Sequence, residues 1–240
     1  MTDPSGVRAR LCSLLDLTTL HATDQRQDVV ALCQHAVTPG GGLPSVAAVC
    51  VHADRADVAV SMLDGTPVRV AAVAGAFPHA RSPLAIRAAE IEHVVALGVD
   101  EVDVPIDRAK VLASQWGELA SELATLRKAA GEATLKVILE TAEISDPAAL
   151  RHACATALEA GADFLKTSTG QAGAATPEAT RVLLEAVREQ RRGGVKVAGG
   201  VRSLEQATGY LAQADALWGT ATADTFRIGA SSLLDALVAA

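Results

Sequence analysis

The chain has 240 residues, half of them hydrophobic and only 2% aromatic, with a formal net charge of −7. That length suits one large core, and the acidic balance argues against a nucleic-acid face or an anionic membrane as partner. The core must be built largely from Ala, Val, Leu and Ile, side chains that suit parallel strands covered by helices.

No apolar run approaches the roughly eighteen residues that span a bilayer. The start, Met1-Thr-Asp-Pro-Ser-Gly6, lacks the basic flank and apolar stretch of a secretion signal. Cys12, Cys33, Cys50 and Cys154 show no paired spacing, so they read as reduced thiols in a cytoplasmic protein. Neither low-complexity tract nor linker interrupts the sequence, so residues 1–240 are expected to form a single domain.

In chain order, strands are predicted near Leu14–Thr19, Val46–Val51, Val68–Ala74, Glu101–Ile106, Leu135–Thr141, Phe164–Thr169, Val195–Ala198 and Phe226–Ala230. Helical patterns separate most of them. Ser82-Pro83, Asp146-Pro147 and Thr176-Pro177 each place a capping side chain before a first-turn proline. Ser203-Leu-Glu-Gln206 has capping-box spacing. Between Leu84 and Leu97, the residues Leu84, Ala88, Ile91 and Val95 share one helical face. Gly98 and Gly161 each end a helix just before a strand. Eight strands alternating with helices predict a (β/α)8 TIM-type barrel. An open doubly wound sheet is the other arrangement, but no Gly-rich dinucleotide loop follows the first strand.

Active sites in such barrels lie at the carboxyl ends of the strands. Lys166 falls near the end of the sixth strand and Lys196 on the seventh. Asp103 falls on the fourth, Lys136 and Glu140 on the fifth, and Asp16 at the end of the first. A lone Lys is usually a surface charge. Barrel strands, however, are covered on both faces, where a charge is costly unless paired or used. Two neighbouring lysines have a specific use. A free Lys, with a pKa of about 10.4, is neutral in roughly one molecule in a thousand at pH 7. Burial and a nearby ammonium lower that pKa, and the neutral amine can attack a carbonyl to form an imine. That chemistry needs no metal or cofactor, and His21, His35, His52, His79, His93 and His152 show no metal-ligand spacing.

Two turns look like anion cradles: Val197-Ala-Gly199-Gly200-Val-Arg202-Ser203 and Arg227-Ile-Gly229-Ala-Ser231-Ser232. Each ends a strand and opens a helix, at the loops where this fold often binds phosphate. Lys166-Thr-Ser168-Thr169-Gly170 adds hydroxyls beside the candidate nucleophile; Ser168 and Thr169 could equally form a capping turn. Cys50 reads as a small buried hydrophobe.

These segments, in this order, resemble deoxyribose-phosphate aldolase, a class I aldolase family. The likeness includes Leu15-Asp16-Leu-Thr18-Thr19-Leu20, Phe77-Pro78-His79, Asp100-Glu-Val-Asp103, Leu135-Lys136-Val-Ile-Leu-Glu140-Thr141, Lys166-Thr-Ser-Thr-Gly170 and Lys196-Val-Ala-Gly199-Gly200-Val-Arg202. The resemblance implies cleavage of 2-deoxy-D-ribose 5-phosphate to D-glyceraldehyde 3-phosphate and acetaldehyde. It makes Lys166 the Schiff-base residue, Lys196 the group that lowers its pKa, and Asp103 the proton mover. It also implies phosphate binding by Gly170, Gly199, Gly200, Arg202, Ser231 and Ser232, with Asp16, Thr18, Lys136 and Thr169 in support. The sole partner so implied is a small phosphorylated sugar; the assembly is left open, a homodimer being compatible. Gln171 stands where some members carry a phosphate-binding Lys. The sequence stops at Leu237-Val-Ala-Ala240 without the Tyr-ended tail of some members, so enamine protonation is expected to use water or another residue. The rival readings are a phosphate-binding barrel isomerase with Asp103 or Glu140 as base, and a non-catalytic phosphosugar-binding protein.

Overall fold

The computed structural model describes residues 4–240; Met1, Thr2 and Asp3, on which the reading of the sequence start falls, lie outside the described residues. The strands are β1 (Leu15–Thr18), β2 (Ala48–His52), β3 (Arg69–Val73), β4 (Glu101–Pro105), β5 (Thr134–Ile138), β6 (Phe164–Lys166), β7 (Gly194–Ala198) and β8 (Phe226–Ala230). Helices α1 (Pro4–Ser13), α2 (Arg26–Val37), α3 (Ala56–Leu63), α4 (Leu84–Ala96), α5 (Arg108–Leu112) and α6 (Trp116–Ala130) lie before β5. Helices α7 (Pro147–Glu159), α8 (Pro177–Gln190), α9 (Leu204–Trp218) and α10 (Leu233–Ala239) follow it. The strands pair in sequence order, all parallel, and close when β8 returns to β1 with Leu17 opposite Ala230. This is the (β/α)8 barrel, and closure excludes the open sheet. Among the described residues, no helix is long and apolar enough to cross a membrane.

Alternation along each strand divides the molecule into two unlike interiors. Outward residues such as Leu15, Leu17, Val49, Val51, Val102, Val137, Leu165 and Val195 are buried between sheet and helices, forming one continuous apolar shell. Each fully buried aliphatic side chain of this kind contributes about 1.5–3 kcal/mol. Inside the barrel, Cys50, Ala71 and Val73 form an apolar cluster, with Leu20 and Phe77 against it. Beside Ala48, Ile138 and Phe164, the lumen holds a set of buried charges: Asp16, Glu101, Asp103, Lys136, Lys166, Lys196 and Arg227.

Asp146, Thr176 and Ser203 cap their helices, and the Ser203–Gln206 box is complete. Gly98 and Gly161 follow the ends of α4 and α7 with φ of 96° and 100°. Ser82 differs: α4 begins at Leu84 with Pro83 in the cap position and no side-chain cap. The predicted face of α4 packs inward, with Ile91 in the core and Leu84, Ala88 and Val95 against it, while Arg87 and Val94 on the same side are also buried. Arg87 reaches the carbonyls of Gly75 and Pro105 and pairs with Glu122 of α6 at 2.6 Å. Carbonyls at strand ends lack ladder partners, and a buried guanidinium satisfies two of them.

β5 and β6 are shorter than their sequences suggest. Glu140 adopts a left-handed backbone with φ 56° and ψ 60°, followed by a 3-10 turn over Thr141–Glu143, so it lies beyond β5. Thr167–Thr169 belong to the loop after Lys166. Asp16 sits inside β1 and not at its end.

Candidate active site

Register brings the lysines together. Lys166 is paired with Lys196 on β7, Asp103 with Lys136 on β5, and all four point into the lumen. Asp103 accepts from Lys166 at 2.6 Å and from Lys196 at 2.7 Å, and Lys136 lies 3.3 Å from its other oxygen. Asp16 holds Lys196 at 2.7 Å, Lys136 at 3.0 Å and Arg227 at 2.6 Å. Glu101 holds Arg227 at 2.9 Å and also pairs with Lys136. Arg69 touches Glu101 at 3.4 Å from the rim, where its side chain is 43% exposed.

Counting the buried members gives three carboxylates (Asp16, Glu101, Asp103) against four cations (Lys136, Lys166, Lys196, Arg227). One positive charge is in excess, and an uncompensated buried charge is costly. Lys136, Lys196 and Arg227 each contact two or three carboxylates, whereas Lys166 contacts only Asp103. Lys166 is therefore the group that loses its proton most readily. Burial lowers its pKa first, Lys196 adds to the effect, and Asp103 only partly opposes it. Lys196 and Lys136 feel the same burial, but the carboxylates around them outweigh it and hold both above the ordinary Lys value. Burial alone would raise Asp103 and Asp16; the surrounding ammonium groups instead hold both well below the usual carboxylate range.

Above this network opens a cleft of about 320 Å3 whose lining includes Lys166, Lys196, Thr18, Thr169, Gly170, Gly199, Gly200, Arg202 and Ser231. Among the described residues no carboxylate lines it, while Lys166, Lys196 and Arg202 do, so its field favours an anion. Ser232 is not in the lining; it occupies the cap position of α10. The amides of Arg202 and Ser203 are already satisfied by Gln206 at 2.9 and 3.2 Å, which leaves the Arg202 guanidinium as the charged donor of that turn. Gly199, with φ 98°, is required both by conformation and by space, since a Cβ there would meet the Gly173 carbonyl at 2.7 Å. Gly199→Ala is expected to lower stability by about 1–3 kcal/mol and to distort the turn; thermal unfolding and anion affinity read both effects.

Arg227, read from sequence as part of an anion cradle, lies instead below the cleft as the ionic partner of Asp16 and Glu101. The alternation that places Lys166 inward applies to it equally, since Arg227 and Gly229 share a face. Glu101 follows the same rule beside Asp103. His21, Leu20, Gln171, Ala198 and Val201 also line the cleft. Cys50 faces the lumen and is fully buried, its Sγ 3.9 Å from Asp103, and burial pushes the thiol pKa up. A raised pKa keeps it protonated and a weak nucleophile.

A model of the DeoC/LacD family of aldolases matches residues 10–238. Among solved structures, the chain is similar to a Coccidioides immitis protein assigned as a deoxyribose-phosphate aldolase. Identity is 26% and the TM-score 0.83, over 95% of this chain and 85% of the other. Deoxyribose phosphate aldolase from Aeropyrum pernix, described as tetrameric, is 25% identical with a TM-score of 0.79, over 99% and 92% of the two chains. A Toxoplasma gondii ME49 protein with the same assignment shares the fold at 24% identity and a TM-score of 0.87, over 97% and 93%. The family match runs from α1 into α10, across every strand of the barrel, and the chain accordingly belongs to the DeoC/LacD family of aldolases.

Proposed function

We propose that the protein is a class I deoxyribose-phosphate aldolase that cleaves 2-deoxy-D-ribose 5-phosphate through an imine on Lys166. The observation carrying this reading is the charge count: Lys166 is the surplus cation of a buried network, and it opens into the anion-favouring cleft. Its neutral amine attacks the C1 aldehyde of the open-chain sugar, giving a carbinolamine. Proton transfer to the carbinolamine hydroxyl expels water and leaves an iminium. Asp103, hydrogen-bonded to both Lys166 and Lys196, moves this proton together with a water as the carbinolamine forms and collapses. Loss of the C3 hydroxyl proton then breaks the C2–C3 bond. The electron pair moves onto C2 to form an enamine, and glyceraldehyde 3-phosphate departs. Protonation at C2 and hydrolysis release acetaldehyde and restore the amine.

Gly170, Gly199, Gly200, Arg202 and Ser231 hold the phosphate in this reading, with Ser232 backing the last turn. Asp16 and Lys136 keep the network charged, and Thr18 and Thr169 shape the cleft. Four buried free thiols and a phosphorylated substrate favour the cytoplasm. Treatment with borohydride in the presence of deoxyribose 5-phosphate is expected to add a reduced adduct on Lys166, seen by mass. Intact mass throughout, with no acetaldehyde released in a coupled assay, would sink the proposal.

Gln171 lines the same cleft without charge. Gln171→Lys is expected to lower KM for the phosphorylated sugar about three- to tenfold, the gain of one partly exposed charge-assisted contact. An unchanged KM would place Gln171 beyond the phosphate's reach.

A further inference from the structure

The mechanism makes no use of Glu140, a buried carboxylate hydrogen-bonded to the cleft-lining Thr169. Glu140 is 1% exposed and sits between β5 and its following turn with φ 56°, a conformation that costs a non-Gly residue energy and persists only where surroundings impose it. Its Oε2 accepts from the Thr169 hydroxyl at 2.5 Å and from the Thr169 backbone N–H at 3.1 Å. The Thr169 hydroxyl oxygen in turn accepts from the Gln171 N–H at 3.1 Å. Arg108 lies 3.8 Å from the same Oε2 of Glu140, 2.9 Å from Glu143 and 3.2 Å from the His79 ring. The loops after β3, β4, β5 and β6 are thus joined through two side chains, Arg108 and Glu140.

We propose that Glu140 is a positioning residue for substrate binding, clasping the loop after β6 so that Thr169, Gly170 and Gln171 are presented to the cleft in one fixed arrangement. Thr167, which exchanges hydrogen bonds with Ala198, and Ala175, whose N–H donates to the Gly199 carbonyl, anchor the two ends of this loop, and between them Glu140 holds Thr169. Thr169 is buried, yet Gly170 and Gln171 are exposed, and Gly170 tolerates a wide range of backbone angles. The clasp also fixes hydrogen-bond polarity. A hydroxyl has one proton, and Glu140 takes it, so Thr169 can offer the cleft only a lone pair. Thr169 therefore receives a substrate hydroxyl and cannot donate to a phosphate oxygen, which leaves the anion to the glycine turns and Arg202. Removing Glu140 frees both the loop and that proton.

The inference rests on the aldolase reading for its kinetic assay, so binding is measured in parallel. Steady-state cleavage of deoxyribose 5-phosphate, calorimetric affinity for the same sugar, and borohydride trapping of acetaldehyde are compared in the wild type and in Glu140→Ala, Glu140→Gln, Thr169→Val and the Glu140→Ala/Thr169→Val double variant. Glu140→Ala is expected to raise KM and weaken binding about tenfold or more, with kcat within about threefold. Acetaldehyde is too small to reach the loop, so its adduct on Lys166 forms at the wild-type rate. Glu140→Gln keeps a carbonyl acceptor for both Thr169 donors and restores KM. Thr169→Val raises KM as Glu140→Ala does, and the double variant is no worse than either single change. If KM and affinity stay at wild-type values while only the unfolding temperature falls, or if adduct formation slows as KM rises, the positioning role is overturned. Should Glu140→Ala not fold, an unchanged KM in Thr169→Val overturns it instead. A wild type that gives no adduct and no cleavage defeats the aldolase reading alone, and the calorimetric affinities of the variants then decide the clasp.

Discussion

Lys166→Leu is expected to reduce cleavage of deoxyribose 5-phosphate by about 10^4-fold or more, as loss of a covalent nucleophile does, without unfolding the barrel. The reason lies in the lumen's charge count. Four buried cations face three carboxylates, and removing Lys166 leaves three against three. Asp103 retains Lys196 at 2.7 Å and Lys136 at 3.3 Å, so no carboxylate is stranded. Leu fills a similar volume with no charge to solvate. The coupled acetaldehyde assay should read background, borohydride should leave the mass unchanged, and the unfolding temperature should match or exceed that of the wild type. Substantial residual cleavage would overturn the assignment of the nucleophile. A large drop in unfolding temperature would overturn the charge count.

Lys196→Leu makes the second large effect, through a different route. It also leaves three cations and three carboxylates, but now Lys166 is needed as a counter-charge. The ammonium that helped to lower the Lys166 pKa is gone, while Asp103 still raises it. The sign is fixed: kcat/KM rises with pH as Lys166 loses its proton, and in the variant this rise moves to higher pH. Near neutrality the loss should be about 10^2- to 10^3-fold, in the range of general acid–base contributions, and raising the pH should recover part of it. Asp16 and Asp103 each lose a partner but keep others, so the stability cost falls at or below the low end of the about 3–5 kcal/mol of a broken buried pair. A pH profile with an unshifted rise would show that Lys196 does not tune Lys166.

The barrel was legible because its signals are local. Most strands are short β-branched or aliphatic runs, the starts of α7, α8 and α9 carry caps, and eight such units leave few other arrangements. The lysine pair was legible for a related reason, since alternation along β6 and β7 puts both on one face. What was not legible depends on contacts distant in sequence. Arg227 follows the same alternation but stands beside a Gly-Ala-Ser-Ser turn that suggests phosphate, and only the pairing of β8 with β1 brings it to Asp16. Glu140 continues an apparent strand, and nothing local announces its left-handed backbone; its partners Thr169 and Arg108 lie far from it in sequence. Arg87 occupies a helix face that reads as apolar, because its partners are carbonyls that no side-chain pattern reveals. Ser82 has the residue type and the following proline of a cap, yet the helix starts one residue too late to use it.

The charged lumen makes the order of substitutions matter. In a barrel filled by aliphatic layers, single losses leave cavities whose costs are roughly independent when they do not touch. Here each loss changes the balance that the next one meets. Lys166 can be lost first at little cost to folding. Loss of Asp16 or Glu101 from the intact set would strand a second positive charge, and becomes tolerable only after a cation has gone. A descendant that kept the fold while abandoning the chemistry would therefore be expected to lose Lys166 before any carboxylate. Redesign of the lumen faces the same one-way sequence, with the reactive lysine as its first removable piece.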